Sequence, residues 1–278
     1  MVKATRLDRY IMSILDETSN LREIIVGQDD EARKIALKHR AAKEGKSSDG
    51  GFVWLGGYRS DMDGSKAIAL DEHAGALGLA CTRHDYSGHG VSGGAFIDGT
   101  ISRWLEESLA VFRSYTKGPQ ILVGSSMGGW IALRMVQELA KSGELDRVKA
   151  LLLLAPAPDF TKELYEPKLT EEQKSDLQTQ GYFEVPTPYG PDPNVFTRKL
   201  FEDGAQNLVL QGPLELGVPV HIIQGMDDPD VPWQHAMRLV ENLPSEDVVI
   251  TLVKDGDHRL SREQDIEKIL ASIDGLLA

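Results

Sequence analysis

The sequence predicts an α/β domain with a mostly parallel central sheet and helices on both faces. Three observations predict it. Strand-like and helix-like segments alternate along most of the chain. Ala150-Leu151-Leu152-Leu153-Leu154 is an unbroken apolar run, as a parallel strand buried on both faces requires. The run Gln120-Ile121-Leu122-Val123 leads through Gly124-Ser125-Ser126-Met127-Gly128 into an apolar-periodic stretch from Trp130 to Leu139, the order strand, sharp turn, helix.

The elements follow in order. Residues 5–25 read as an amphipathic segment, and a charged strand is expected near Lys34 to His39. A polar loop from Ala41 to Gly50 leads to the first core strand, Phe52 to Leu55. Ala67, Leu70, Ala74 and Leu77 fall at helical spacing and predict a helix over Ser65 to Leu77. A strand from Leu79 to Arg83, a glycine-rich loop from Asp85 to Gly94 and a helix near Ile101 to Tyr115 come next, ahead of the Gly-x-Ser-x-Gly unit. Residues 156–213 break the alternation. Thr170-Glu171-Glu172-Gln173 reads as a capping box opening a short helix, and Asn194 as the cap of a second one, Val195 to Phe201. This stretch holds Phe160, Tyr165, Tyr182, Phe183, Tyr189, Phe196 and Phe201, seven of the 18 aromatics. Such enrichment suits either apolar surface closed over the turn serine or a small core of the segment's own. The strands Val218 to Ile223 and Val248 to Val253 restore the alternation. The expected division is therefore 1–45 as an N-terminal extension with a first strand, 46–155 and 214–278 as the core, and 156–213 as an insertion.

Composition bounds the function. A chain of 278 residues suits one large α/β domain with a small insertion. Hydrophobic content of 41% and charged content of 26% are ordinary for a globular protein. A net charge of −13 with no basic cluster argues against nucleic acid as a partner. The lone cysteine, Cys81, excludes an intrachain disulfide and reads as a small buried residue. No apolar run approaches 18 residues, so no membrane span is expected. The N-terminus lacks an apolar signal core, and Asp8, Asp16 and Glu17 argue against a transit peptide, so the expected location is the cytoplasm.

The turn carries the chemistry. Within this turn Ser126, not Ser125, fits the register: glycines stand two residues away on each side of it, whereas around Ser125 the same positions are Val123 and Met127. A serine hydroxyl needs a base to take its proton and a carboxylate to orient that base. Behind such a turn the partners follow in the order acid, then histidine. The strand from Val218 runs into Gly225-Met226-Asp227-Asp228-Pro229-Asp230-Val231-Pro232. This Gly-x-x-Asp-x-x-Val-Pro pattern resembles the acid loop of α/β-hydrolases, whose register selects Asp228, with Asp227 and Asp230 as near alternatives. Asp230 also suits a cap for the helix that follows. Gly256-Asp257-His258 after the last strand resembles the histidine loop of the same fold and makes His258 the base. His221 lies within a strand, and His39, His73 and His235 fall on or near expected surface elements. His84 and His89 flank Asp85, but without further cysteine or carboxylate ligands they do not make a metal site.

Acyl transfer also needs two backbone N–H groups aimed at the developing oxyanion. Met127 follows the nucleophile; by position, Tyr58 in the loop Gly56-Gly57-Tyr58-Arg59-Ser60-Asp61 supplies the second. Several stretches resemble one branch of the α/β-hydrolase superfamily over roughly residues 50 to 275. They are Gly57-Tyr58-Arg59-Ser60-Asp61-Met62, Asp85-Tyr86-Ser87-Gly88-His89-Gly90-Val91-Ser92, Gly118 through Trp130, Asp228…Val231-Pro232-Trp233 and Asp257-His258-Arg259. The best-known members of that branch are mitochondrial palmitoyl-protein thioesterases that also hydrolyse acyl-glucuronides. The resemblance implies an α/β-hydrolase fold with a cap at 156–213, Ser126 as nucleophile, Asp228 as acid and His258 as base. It implies a small-molecule or acylated substrate touched by Gly57, Arg59 and Trp233, and no cofactor or metal. Gly56 departs from the histidine common at that position, and the first 45 or so residues have no counterpart. Two other readings stay open: a carbon–carbon bond hydrolase, with Arg198, Lys199 or Arg59 for a substrate carboxylate, and a ligand receptor on the same fold.

Overall fold

The computed structural model describes residues 20–46, 50–188, 190–244 and 247–278. Residues 5–19 of the expected amphipathic segment lie outside these, as does Tyr189; the end of that segment is a strand.

β1 (Leu21–Val26) and β2 (Arg33–Arg40) form an antiparallel pair at one edge of the sheet. β2 is charged yet partly buried because Arg33, with its side chain 3% exposed, meets Glu107 and Glu106 at 2.6 Å each. β3 (Gly51–Leu55) is wholly buried. α1 (Ser65–Leu77) buries Ala67, Leu70 and Ala74 of the expected stripe and ends at Gly78 in the left-handed region, φ +74°. β4 (Ala80–His84) and α2 (Ile101–Tyr115) follow, the Thr100 hydroxyl accepting from Arg103 N at 3.2 Å as its cap. β5 (Gln120–Ser125), α3 (Met127–Lys141) and β6 (Val148–Leu154) complete the centre.

Beyond β6, α4 (Glu171–Thr179) opens on the expected capping box, with Thr170 and Gln173 exchanging both bonds. The second expected helix is a correction. Asn194 caps nothing: Asn194–Thr197 is a strand, β8, paired antiparallel with β7 (Tyr182–Val185), so that Phe183 faces Phe196. Val-Phe-Thr favours the extended backbone. The helix α5 (Arg198–Gly204) starts one turn later, where the Thr197 hydroxyl accepts from Leu200 N at 3.1 Å. β9 (Val220–Gly225), α6 (Trp233–Asn242), β10 (Val248–Val253) and α7 (Glu263–Leu277) close the chain.

The eight-stranded sheet runs β1-β2-β4-β3-β5-β6-β9-β10 and is parallel from β4 to β10. Alternate residues of β5 and β6 enter two cores, as the unbroken apolar runs require. Leu122, Leu151 and Leu153 pack with α2, α3, α6 and the 156–213 segment. Ile121, Val123, Leu152 and Leu154 pack with α1 and α7. Cys81 is fully buried in the second core. The loops after β3, β5, β9 and β10 gather at the carboxyl ends of the parallel strands, where ligands of open α/β sheets bind.

Candidate active site

The turn after β5 is built by close backbone approach. Ser126 sits at φ 54°, ψ −118°, a conformation that side-chain-bearing residues rarely adopt. Its N–H donates to Leu154 O at 2.9 Å, and its carbonyl accepts from Gly129 N at 2.9 Å and Ala157 N at 3.1 Å. A Cβ at position 124 would lie 2.5 Å from Gly128 O, and one at position 128 would lie 2.0 Å from Leu55 O. The strand, the helix and β3 therefore meet only because those two residues are glycine.

The loops from β9 and β10 bring Asp228 and His258 to the same point. His258 Nε2 lies 3.1 Å from Ser126 Oγ, and its Nδ1 lies 2.7 Å from Asp228 Oδ2. A carboxylate can only accept, so Nδ1 carries the proton and Nε2 is left to accept from the serine hydroxyl. The Asp228 side chain is fully buried. Its Oδ1 accepts from Asp230 N and Val231 N at 2.9 and 2.8 Å, and its Oδ2 from Gln224 Nε2 at 3.2 Å. The Asp228 carboxylate, which the register selects, meets Nδ1. Asp228, Asp230 and His258 also present ligand atoms within 4.8 Å of one another. Both Asp228 oxygens and both His258 ring nitrogens have protein partners, which a cation would have to displace.

The loop after β3 reaches over the serine. A Cβ at Gly57 would stand 3.4 Å from both Ser125 O and Ser126 Cβ, so the loop passes close to the serine. Gly57 to Ser60 is a tight turn, closed by Ser60 N donating to Gly57 O at 3.1 Å. Tyr58 and Met127 line the same cavity as Ser126. Among the described residues, neither of their N–H groups donates to a protein acceptor in the turns and caps.

The cavity holds about 480 Å³, within the range of small-ligand sites. Phe160, Leu164, Tyr165 and Phe196 give it an apolar wall, and charged residues of both signs, Arg59, Lys66 and Arg259 with Asp61, Asp192 and Asp230, line the rest. Both uses of the aromatic segment occur, since Phe183 stacks on Phe196 and touches Phe201 away from the cavity. Lys66 was not legible as a site residue, because it opens an ordinary helix with no motif around it. Its ammonium donates to Arg259 O, and burial pulls its pKa down to about 8.

Gly57 and Arg59 line the cavity, whereas Trp233, at the first turn of α6, is not among its described lining residues; Val231, two positions earlier, is. Arg198 and Lys199 also stand outside it, paired with Glu202 and Asp98. His235 is not on the surface: it is 7% exposed, and its Nε2 donates to Pro158 O at 2.8 Å. His84 is buried likewise and held down to about 4 by desolvation.

A model of the alpha/beta hydrolase family matches residues 50–271. A crystal structure from Agrobacterium vitis S4, labelled a candidate hydrolase, is 54% identical with a TM-score of 0.89, covering 93% of this chain and 98% of that one. The structure of mouse alpha/beta hydrolase domain-containing protein 10 is 30% identical with a TM-score of 0.78, covering 92% and 98%. Human palmitoyl-protein thioesterase ABHD10, mitochondrial, is 33% identical over 242 residues, 87% of this chain and 77% of the relative. Among the described residues no helix is long and apolar enough to cross a membrane.

Proposed function

The chain belongs to the alpha/beta hydrolase family, and on that premise we propose that it is a serine hydrolase of carboxylic esters or thioesters working through an acyl-enzyme. The observation that carries the reading is the chain of hydrogen bonds from Ser126 through His258, both of which line the cavity, to Asp228.

His258 Nε2 takes the proton of Ser126 as Oγ attacks the acyl carbonyl. The negative charge that develops on the carbonyl oxygen falls to the N–H groups of Tyr58 and Met127, the latter at the N-terminus of α3, where the helix dipole adds to the donor. The imidazolium then gives its proton to the leaving alcohol or thiol. Water, deprotonated by the same Nε2, releases the acid and frees Ser126. Asp228 keeps Nδ1 protonated throughout, and its backbone donors keep it in place. These steps need no cofactor.

Residues 156–213 serve as the cap. Their wall of Phe160, Leu164, Tyr165 and Phe196 suits the apolar part of an acyl group, in keeping with the palmitoyl-protein thioesterase activity in the relatives' name. The cytoplasmic location expected from the sequence differs from the mitochondrial one in that name and stands as a proposal.

The test is turnover of thioesters and oxygen esters graded in acyl length, by the natural protein and by Ser126→Ala. Turnover with a clear length preference, falling by about 10⁶ in the variant while its folding persists, is the expected result. Undiminished hydrolysis by the variant contradicts it.

A further inference from the structure

The loop that faces Ser126 is held in a conformation its own residues do not favour. In the turn Gly57-Tyr58-Arg59-Ser60, Arg59 has φ +56° while Tyr58 does not enter the left-handed region. That is the pattern of a type II turn, which ordinarily takes glycine or asparagine at its third position. An arginine there is strained, and a flip of the Tyr58–Arg59 peptide would relieve it, turning the Arg59 N–H away and shifting the backbone next to the Tyr58 N–H.

One side chain opposes the flip. The Arg59 N–H donates to His89 Nε2 at 3.1 Å. His89 Nδ1 lies 3.2 Å from Ser87 O. A carbonyl can only accept, so Nδ1 is protonated and the neutral ring presents Nε2 as an acceptor. His89 is 4% exposed, and burial holds its pKa down to about 4, which keeps it neutral around pH 7. The rings of Tyr86, Phe96 and Trp104 enclose it at centroid distances of 5.0 to 5.5 Å. Ser87, its anchor, is fixed in turn by Glu107 Oε2, which accepts Ser87 N at 2.8 Å, and by Trp104 Nε1, which donates to Ser87 O at 3.2 Å. The glycines on either side fit the same purpose. A Cβ at Gly88 would meet Phe96 Cα at 2.5 Å, and one at Gly90 would strike the Asp85 carboxylate at 2.0 Å. The Gly-His-Gly run therefore brings one imidazole against one backbone N–H.

We propose that His89 is the positioning residue of the oxyanion loop, its Nε2 holding the strained Tyr58–Arg59 peptide so that the Tyr58 N–H stands over Ser126. The proposal rests on the hydrolase reading above, and its own failure is separable from the failure of that reading.

The test is a mutant cycle in the full-length protein, read as kcat, KM and thermal midpoint on a short-chain p-nitrophenyl ester. His89→Phe fits the aromatic enclosure but offers no acceptor. It should lower kcat by about ten- to a hundred-fold with little change in KM, the signature of a contact felt in the transition state. His89→Gln places an amide oxygen where Nε2 stood and should recover most of that loss. Arg59→Gly takes the left-handed conformation without help. In that background His89→Phe should cost several-fold less than in the natural protein. Wild-type kcat in His89→Phe overturns the proposal. So does a loss that neither Gln nor the glycine background reduces, because a merely structural ring would behave that way. Absence of ester turnover by the natural protein would instead overturn the hydrolase reading, and this role with it.

Discussion

The turn around Ser126 and the 156–213 segment face each other across one cavity and are held in opposite ways. The turn is fixed by backbone against backbone: Gly124 against Gly128 and Gly128 against Leu55, with no room for a methyl group between them. The facing segment is fixed by side chains reaching far along the chain. The Asp159 carboxylate, fully buried, accepts from Val209 N and Leu210 N and ties the segment's two ends together. The Tyr58 hydroxyl donates to Val195 O, and the Tyr58 ring stacks on Phe196 at 5.3 Å. The reacting atoms thus sit on the part with no freedom to adjust, and the wall that meets the substrate sits on a part built from replaceable contacts.

The difference can be broken first at the turn. Gly128→Val places branched carbon 2.0 Å from Leu55 O, where only backbone movement could relieve it. We expect esterase activity to fall to background and stability to drop by about 3 kcal/mol or more, read by thermal melting. A variant that melts like the natural protein would mean that the turn is not fixed by contact.

A smaller effect sharpens the other side. Burial pushes the Asp159 carboxyl up to about 6, against the opposing pull of its backbone donors. The folded state therefore keeps a proton that the unfolded chain gives up near pH 4. The stability this contributes is fully present below about pH 4 and is lost as the pH rises to about 6. Asp159→Asn removes the titration and leaves an amide among N–H donors, at a cost of about 1–3 kcal/mol. The gap in melting temperature between the natural protein and the variant should narrow from pH 4 to 6 and stay level above. The proposed chemistry should survive the change, with KM shifting more than kcat. A gap independent of pH would mean that the carboxyl is not held as a buried acid.

What was legible in the sequence follows the same division. The apolar stripe of α1 and the capping box of α4 were readable because both are local signals. Ser126, Asp228 and His258 each stand in a short motif at a strand end, and the structure brings those three together. Asp228 was separable from Asp227 and Asp230 only by resemblance, since what distinguishes it is burial beneath His258. Features set by distant partners were not readable. The strand at Asn194–Thr197 exists because Tyr182–Val185 pairs with it. His235 is buried because the chain after β6 passes over α6 and offers Pro158 O. His89 acts on a peptide 30 positions earlier, and nothing beside it in the sequence points there.

The measurement that bears most directly on the central claim is peptide mass spectrometry after treatment with a fluorophosphonate probe. A single adduct on Ser126, lost in His258→Ala while the fold persists, is the predicted result. No adduct, or one on Ser125 or another residue, would contradict it.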